Sequence, residues 1–179
     1  MTVRISACAS GWPTRSLCTW SAPASSRLRT VGPSRVARLA IGSALFGFLG
    51  AGDEVPAYRL SATSKIPDRP TLATRWRPLL EPALAELAAG DLVVDLRSGS
   101  YAALGRVPGA IAVDVLAEHP DGRRSVVTHF NKAHKGRLAR ALASTRSDPD
   151  DAAAVATVAR RAGMRVERRG NELTVIVTA

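Results

Sequence analysis

At 179 residues, with 46% hydrophobic side chains and a mean hydropathy of +0.01, the chain is of one-domain size and carries enough apolar surface to bury a core. Its longest apolar run, residues 39–49, falls well short of the ~20 residues that span a bilayer, which excludes a transmembrane helix there. The net charge of +10 and a pI of about 11.1 favour polyanions or anionic surfaces as partners, although a solvated basic face yields the same values.

That charge is uneven. Residues 1–35 hold Arg4, Arg15, Arg27, Arg29 and Arg35 with no acidic side chain, so residues 36–179 carry only +5. The opening stretch also has eleven Ser or Thr, no apolar period and several Gly and Pro breakers, which predicts disorder; the same composition suits an organelle transit peptide. Both cysteines, Cys8 and Cys18, fall in it, so residues 36–179 fold without a disulfide, as in a reducing cytoplasm. Nine intervening residues and no adjacent histidine do not match zinc-ligand spacing.

In chain order, the apolar period from Val36 predicts a short helix through Phe46. Arg35 and Arg38 before the run and small residues 50–52 after it also mimic a secretory signal. An extended segment is expected around residues 58–61, between Pro56 and Pro67. Over residues 71–89, Leu72, Trp76, Leu79, Leu80, Ala83, Leu84 and Leu87 mark one helical face, which Pro78 and Pro82 either kink or divide. Residues 91–96 read as a strand covered on both faces. Residues 110–116 and 124–130 flank the turn 119–122 as a hairpin, and a helix over 131–143 follows. Asp148 is the expected N-cap of a further helix, with Pro149 first and Asp151 near its positive end, stopped by Gly163. Residues 164–168 and 172–178 pair around Gly170 and Asn171 as a last hairpin. The class is α+β, with a mixed, mostly antiparallel sheet and flanking helices.

The segment 125–142 turns a β-branched run into a helix bearing Lys132, Lys135, Arg137 and Arg140, a row of cations suited to phosphate. Gly136 within it costs about 1 kcal/mol relative to alanine, which close approach of a backbone or phosphate would justify. Four cations that merely solvate a surface helix are the alternative. His129 and His134 are five apart and do not form an i, i+4 ligand pair. Arg97, Ser98 and Tyr101 lie in a polar turn after a buried strand, able to cradle an anion through backbone N–H groups; Ser98 capping the next helix is the structural alternative. Tyr58 beside Arg59 can stack on a base or stand half-buried. Asp95, Asp114, Glu118 and Asp121 have no evident partner nucleophile, and Ser98 is not in GxSxG, so no reaction follows.

Read in order, Ala44–Leu45–Phe46–Gly47, Tyr58–Arg59–Leu60, the run Asp95, Leu96, Arg97, Ser98 and Tyr101, and Lys132, Gly136, Ala139 and Arg140 resemble the C-terminal half of the bacterial YaaA peroxide-stress family. Its motifs are a Gly-Leu-Tyr-Gly-like turn, a Tyr-Arg-Leu segment, an Asn-Leu-Ala-Ser-x-x-Tyr-like segment and a basic Lys-x-x-x-Gly-x-x-Ala-Arg-like helix. The resemblance spans residues 36–179 and lacks the family's opening Leu-x-x-Pro-Pro-Ser-Lys-Thr-like strand, which implies a truncated or frame-shifted member with a non-family segment at 1–35. It implies a cytoplasmic protein that limits peroxide damage, binds double-stranded DNA and helps keep free iron low, with no cofactor assigned. The site would comprise Tyr58, Arg59, Arg97, Ser98, Tyr101, Lys132, Lys135, Gly136, Arg137 and Arg140. The alternatives are an enzyme acting on nucleic acid or nucleotide at that cleft, through Ser98, Tyr101 and Lys132, and a fragment without function.

Overall fold

The computed structural model describes residues 3–8, 38–127 and 131–179. Among the described residues eight strands form one sheet: β1 (Val3–Cys8), β2 (Leu39–Ser43), β3 (Gly47–Gly50), β4 (Leu92–Asp95), β5 (Ile111–Glu118), β6 (Arg124–Val126), β7 (Arg165–Arg169) and β8 (Glu172–Thr178). The described residues also form the helices α1 (Leu72–Gly90), α2 (Gly99–Ala102), α3 (Asn131–Ser144) and α4 (Ala152–Arg161). The strand order is β3-β2-β1-β4-β5-β8-β7, with β6 also on β5. The expected α+β class and mixed sheet are both present. Its antiparallel pairs are β2/β3, β5/β6 and β7/β8, while β2/β1, β1/β4, β4/β5 and β5/β8 run parallel through the centre.

Two cores flank this sheet. Ile111, Val113 and Val115 of β5 and Leu173 and Val175 of β8 point to one face, where α3 and α4 lay down Leu138, Leu142, Val155 and Ala159. The second core gathers Leu72, Leu80 and Leu84 of α1 with Ala44, Tyr101 and Leu104. Around β5, β7 and β8 the opposite sheet face carries a roof of paired charges: Arg124 bonds both Glu118 and Glu167, and Arg165 bonds Glu118. Arginine stems of this kind cover apolar surface while their heads stay wet, which accounts for Ile176 being buried there.

Several expectations change. The helix predicted from Val36 through Phe46 is replaced, in its described part, by the β2–β3 hairpin: Gly42 is a poor helix former, β-branched Ile41 favours a strand, and Gly47 takes φ +75°, open to glycine at little cost. Close approach also demands a glycine here, since a Cβ would stand 2.9 Å from the Trp76 ring. Val3–Cys8, expected within a disordered stretch, is a strand paired on both sides, and that pairing with distant β2 and β4 has no local signature. The α4 N-cap is Asp151, not Asp148; its carboxylate accepts from the Ala154 N–H at 2.6 Å.

The 71–89 prediction resolves to a single helix. Pro78 and Pro82 lie on its exposed side, where solvent can take the place of the N–H donors that the Thr74 and Pro78 carbonyls lack, and the helix runs through. Its buried stripe is narrower than predicted: Leu79 is 66% exposed, and Ala83 is exposed as well. The strand predicted over 124–130 ends at Val126, and 128–130 lie outside the described residues. The predicted β4, β5/β6, α3 and β7/β8 are present, the last turning on Gly170 at φ +57°.

Candidate nucleic-acid interface

Helix α3 is held by its inner arc. Leu138, Ala139, Leu142 and Ala143 are buried in the main core, so Arg137 and Arg140 stand on the solvent side and Lys132 is exposed at the first turn. Lys135 is on the inner arc but near the helix start, where the core ends. There its Nζ donates to the Arg97 carbonyl at 3.2 Å, fastening α3 to the turn after β4. A Cβ added at Gly136 would meet nothing within 4 Å, so no protein backbone uses the space that its missing side chain leaves.

The turn after β4 is built around Arg97, and here the sequence reading needs correction. Arg97 is 4% exposed, not a surface cation. Its Nε donates to Asp95 Oδ1 at 2.9 Å and its Nη2 to Asp95 Oδ2 at 2.7 Å, a bidentate pair. Nη2 also reaches the Gly105 carbonyl at 2.9 Å, Nη1 the Tyr101 carbonyl at 3.4 Å, and the guanidinium stacks 5.1 Å from the Phe48 ring. With these donors spent inside the protein, Arg97 shapes the turn and offers little to a phosphate. Tyr101 is likewise in the core at 3% exposure. Ser98 is exposed at the N-cap position of α2, without a side-chain cap bond, and its Oγ lies 3.2 Å from Ser100 Oγ. A four-residue helix is no anion site by itself.

Tyr58 is half-buried. Its hydroxyl is 2.5 Å from Ser43 Oγ and its ring meets Phe46 edge-on at 5.5 Å, so the half-buried alternative describes it; Arg59 beside it is exposed. The predicted residues therefore form a linked chain: α3 through Lys135 to the Arg97 turn, and that turn through Phe48 to the β2–β3 hairpin that seats Tyr58. Asp95, which orients Arg97, was missed as a structural anchor, although an Asp-x-Arg spacing right after a strand is the signal that could have found it. His129 lies outside the described residues, and among those described no cluster of three His, Cys, Asp or Glu is placed to hold a metal.

Comparison with known proteins decides the family. The profile of the peroxide stress protein YaaA matches residues 35–166. The chain belongs to the YaaA family. Among curated family relatives, a UPF0246 protein of Corynebacterium efficiens is 48% identical over 155 residues, 83% of this chain and 62% of the relative. One of Corynebacterium glutamicum is 46% identical over 147 residues, 78% of this chain and 59% of the relative, and one of Streptomyces coelicolor is 39% identical over 137 residues, covering 74% and 52%. The chain thus spans about three-fifths of the first two family members. Among the described residues no helix is long and apolar enough to cross a membrane.

Proposed function

We propose that this chain is a cytoplasmic peroxide-stress protein that binds the phosphate backbone of double-stranded DNA through α3, and that this contact serves to limit oxidative damage and free iron. The observation that carries the reading is the division of labour on α3: a buried inner arc and the Lys135 tie fix the helix, while Lys132, Arg137 and Arg140 are exposed together on an element that cannot easily reorient. Cations fixed on a rigid helix engage phosphates with little further loss of side-chain and backbone freedom. Arg97 and Tyr101 leave the contact set and act by shaping the turn beneath it. The enzyme alternative retains Ser98 and Lys132 at the surface but loses Tyr101 to the core.

Titration of duplex DNA at several salt concentrations tests this. Replacing Lys132, Arg137 and Arg140 with alanine is expected to make log K against log salt shallower by about 2.7, since each phosphate contact contributes ~0.9. An unchanged slope would refute it, and turnover of the duplex would favour the enzyme. Gly136→Ala separates folding from binding: with open space at the Cβ it should stabilise α3 by about 1 kcal/mol in a denaturant titration, while weakening DNA binding if a phosphate occupies that space.

A further inference from the structure

A second group of arginines lies on the far edge of the sheet. Residues 160–172 hold Arg160, Arg161, Arg165, Arg168 and Arg169 against Glu167 and Glu172, on the last turn of α4 and the outermost strand β7. All five are exposed. Some of this charge is used within the fold: Arg165 pairs with Glu118, while Glu167 is taken up by Arg124 of β6. Arg161 and Arg169 form no ion pair among the described residues. Arg168 Nη1 donates to the Gly170 carbonyl at 3.3 Å.

The edge is not built to accept another strand. In the two-residue hairpin, Arg169 faces Glu172, and alternation then turns the backbone groups of Val166 and Arg168 outward. Arg160 Nη2 donates to that Val166 carbonyl at 3.2 Å, covering the hydrogen-bonding group that a new strand would need. What remains on offer is guanidinium. Alternation puts Arg168 on the Val166 side of β7, beside α4, and Arg169 on the opposite side, so exposed guanidinium stands on both sides of this edge. Beside α4, Arg161 joins Ser147 and Thr157 in lining an open cleft of about 300 Å³, large enough for a phosphate group. The acidic group on its rim, Asp148, is paired with Arg38 at 3.5 Å, which reduces its repulsion of an anion. Residues 160–172 contain no aromatic side chain, so bases have no platform to stack on and the fitting partner is a backbone, not a splayed single strand.

We propose that the α4–β7 edge is a second phosphate-contacting surface for double-stranded DNA, formed by Arg161, Arg168 and Arg169 and separate from α3. The choice of duplex as the occupant rests on the reading of α3 given above.

The test is a duplex DNA titration across salt with the full chain, comparing Arg161→Ala/Arg168→Ala/Arg169→Ala with the α3 triple variant. The edge variant is expected to melt like the parent and to make the salt slope shallower by about 2.7, or ~0.9 for each phosphate that an arginine no longer neutralises. Parental affinity and slope in the edge variant overturn the inference; if the α3 variant weakens at the same time, the reading of α3 survives alone. The reverse pattern supports the edge and rejects α3, and absence of duplex binding by the parent rejects both. Should the triple variant fail to fold, Arg169→Gln alone is expected to lower the slope by ~0.9, and no change would overturn the assignment.

Discussion

Two regions of this molecule pair arginine with carboxylate, and they do so to different ends. Asp95 and Arg97 meet in the interior, where the guanidinium side chain is 1% exposed and also serves two carbonyls and an aromatic face. Glu118, Arg124, Arg165 and Glu167 meet at the surface, roofing a sheet face on which water competes for every bond. The first arrangement determines the path of the chain, because a buried guanidinium leaves no alternative geometry in which all its donors are satisfied. The second is adaptable and contributes little per pair. Dense ion pairing is therefore a poor guide to where stability resides.

The largest effect should come from breaking the buried pair. Asp95→Ala strands the Arg97 charge and is expected to cost about 3–5 kcal/mol in a urea or guanidinium unfolding curve; a cost below about 1 kcal/mol would mean that water reaches the guanidinium and that the contrast fails. Replacing both partners, Asp95→Leu with Arg97→Met, should recover most of that stability, since no unpaired charge remains. Its DNA affinity should stay below the parent's if the turn's shape matters to α3.

An intermediate case is Asp151→Ala, which removes an exposed carboxylate that nonetheless caps α4, at an expected cost of about 1 kcal/mol by thermal melt. The smallest effect belongs to the surface network and is sought in its pH dependence. Hydrogen bonds from Arg165 and then Arg124 hold Glu118 below its ordinary value of 4.5, and a hydrogen bond from Arg124 does the same for Glu167. A depressed carboxylate stabilises the folded state above its unfolded pKa, and that gain disappears as pH falls through the lower folded value. Stability should therefore decline in the window below pH 4.5, and Glu118→Gln should flatten that acid limb by lowering stability slightly at neutral pH and leaving it nearly unchanged in acid. An equally steep limb in the variant would assign the decline to other carboxylates.

What the sequence disclosed follows the range of the interactions involved. Local signals were readable: the Gly170–Asn171 turn, the β5/β6 hairpin, the α3 span and the Gly163 stop. Residues 39–50 misled because an apolar run with glycines satisfies either period, and only pairing with β1 and contact with Trp76 favours the strand. Asp148 and Asp151 are chemically equal caps; Pro149 is buried ahead of the helix, and the chain enters α4 only at Asp151. At the candidate site, the exposed cations of α3 were legible from composition. The burial of Arg97 was not, because it depends on Gly105 and Phe48 arriving from separate parts of the chain.

The place of β1 in the sheet has a consequence for assembly in time. Ile5 lies between Leu39 and Val94, so β1 is an interior strand whose two partners follow it in the chain, the second much later. Until then its edges are open, and the β2–β3 hairpin has no hydrogen-bonded link to the rest of the sheet. Such long-range pairing slows folding and exposes the nascent chain to wrong partners. The six residues Val3–Cys8 thus act as the seam that joins a two-stranded piece to a five-stranded one, and the moment that seam closes sets when the molecule becomes a single cooperative unit.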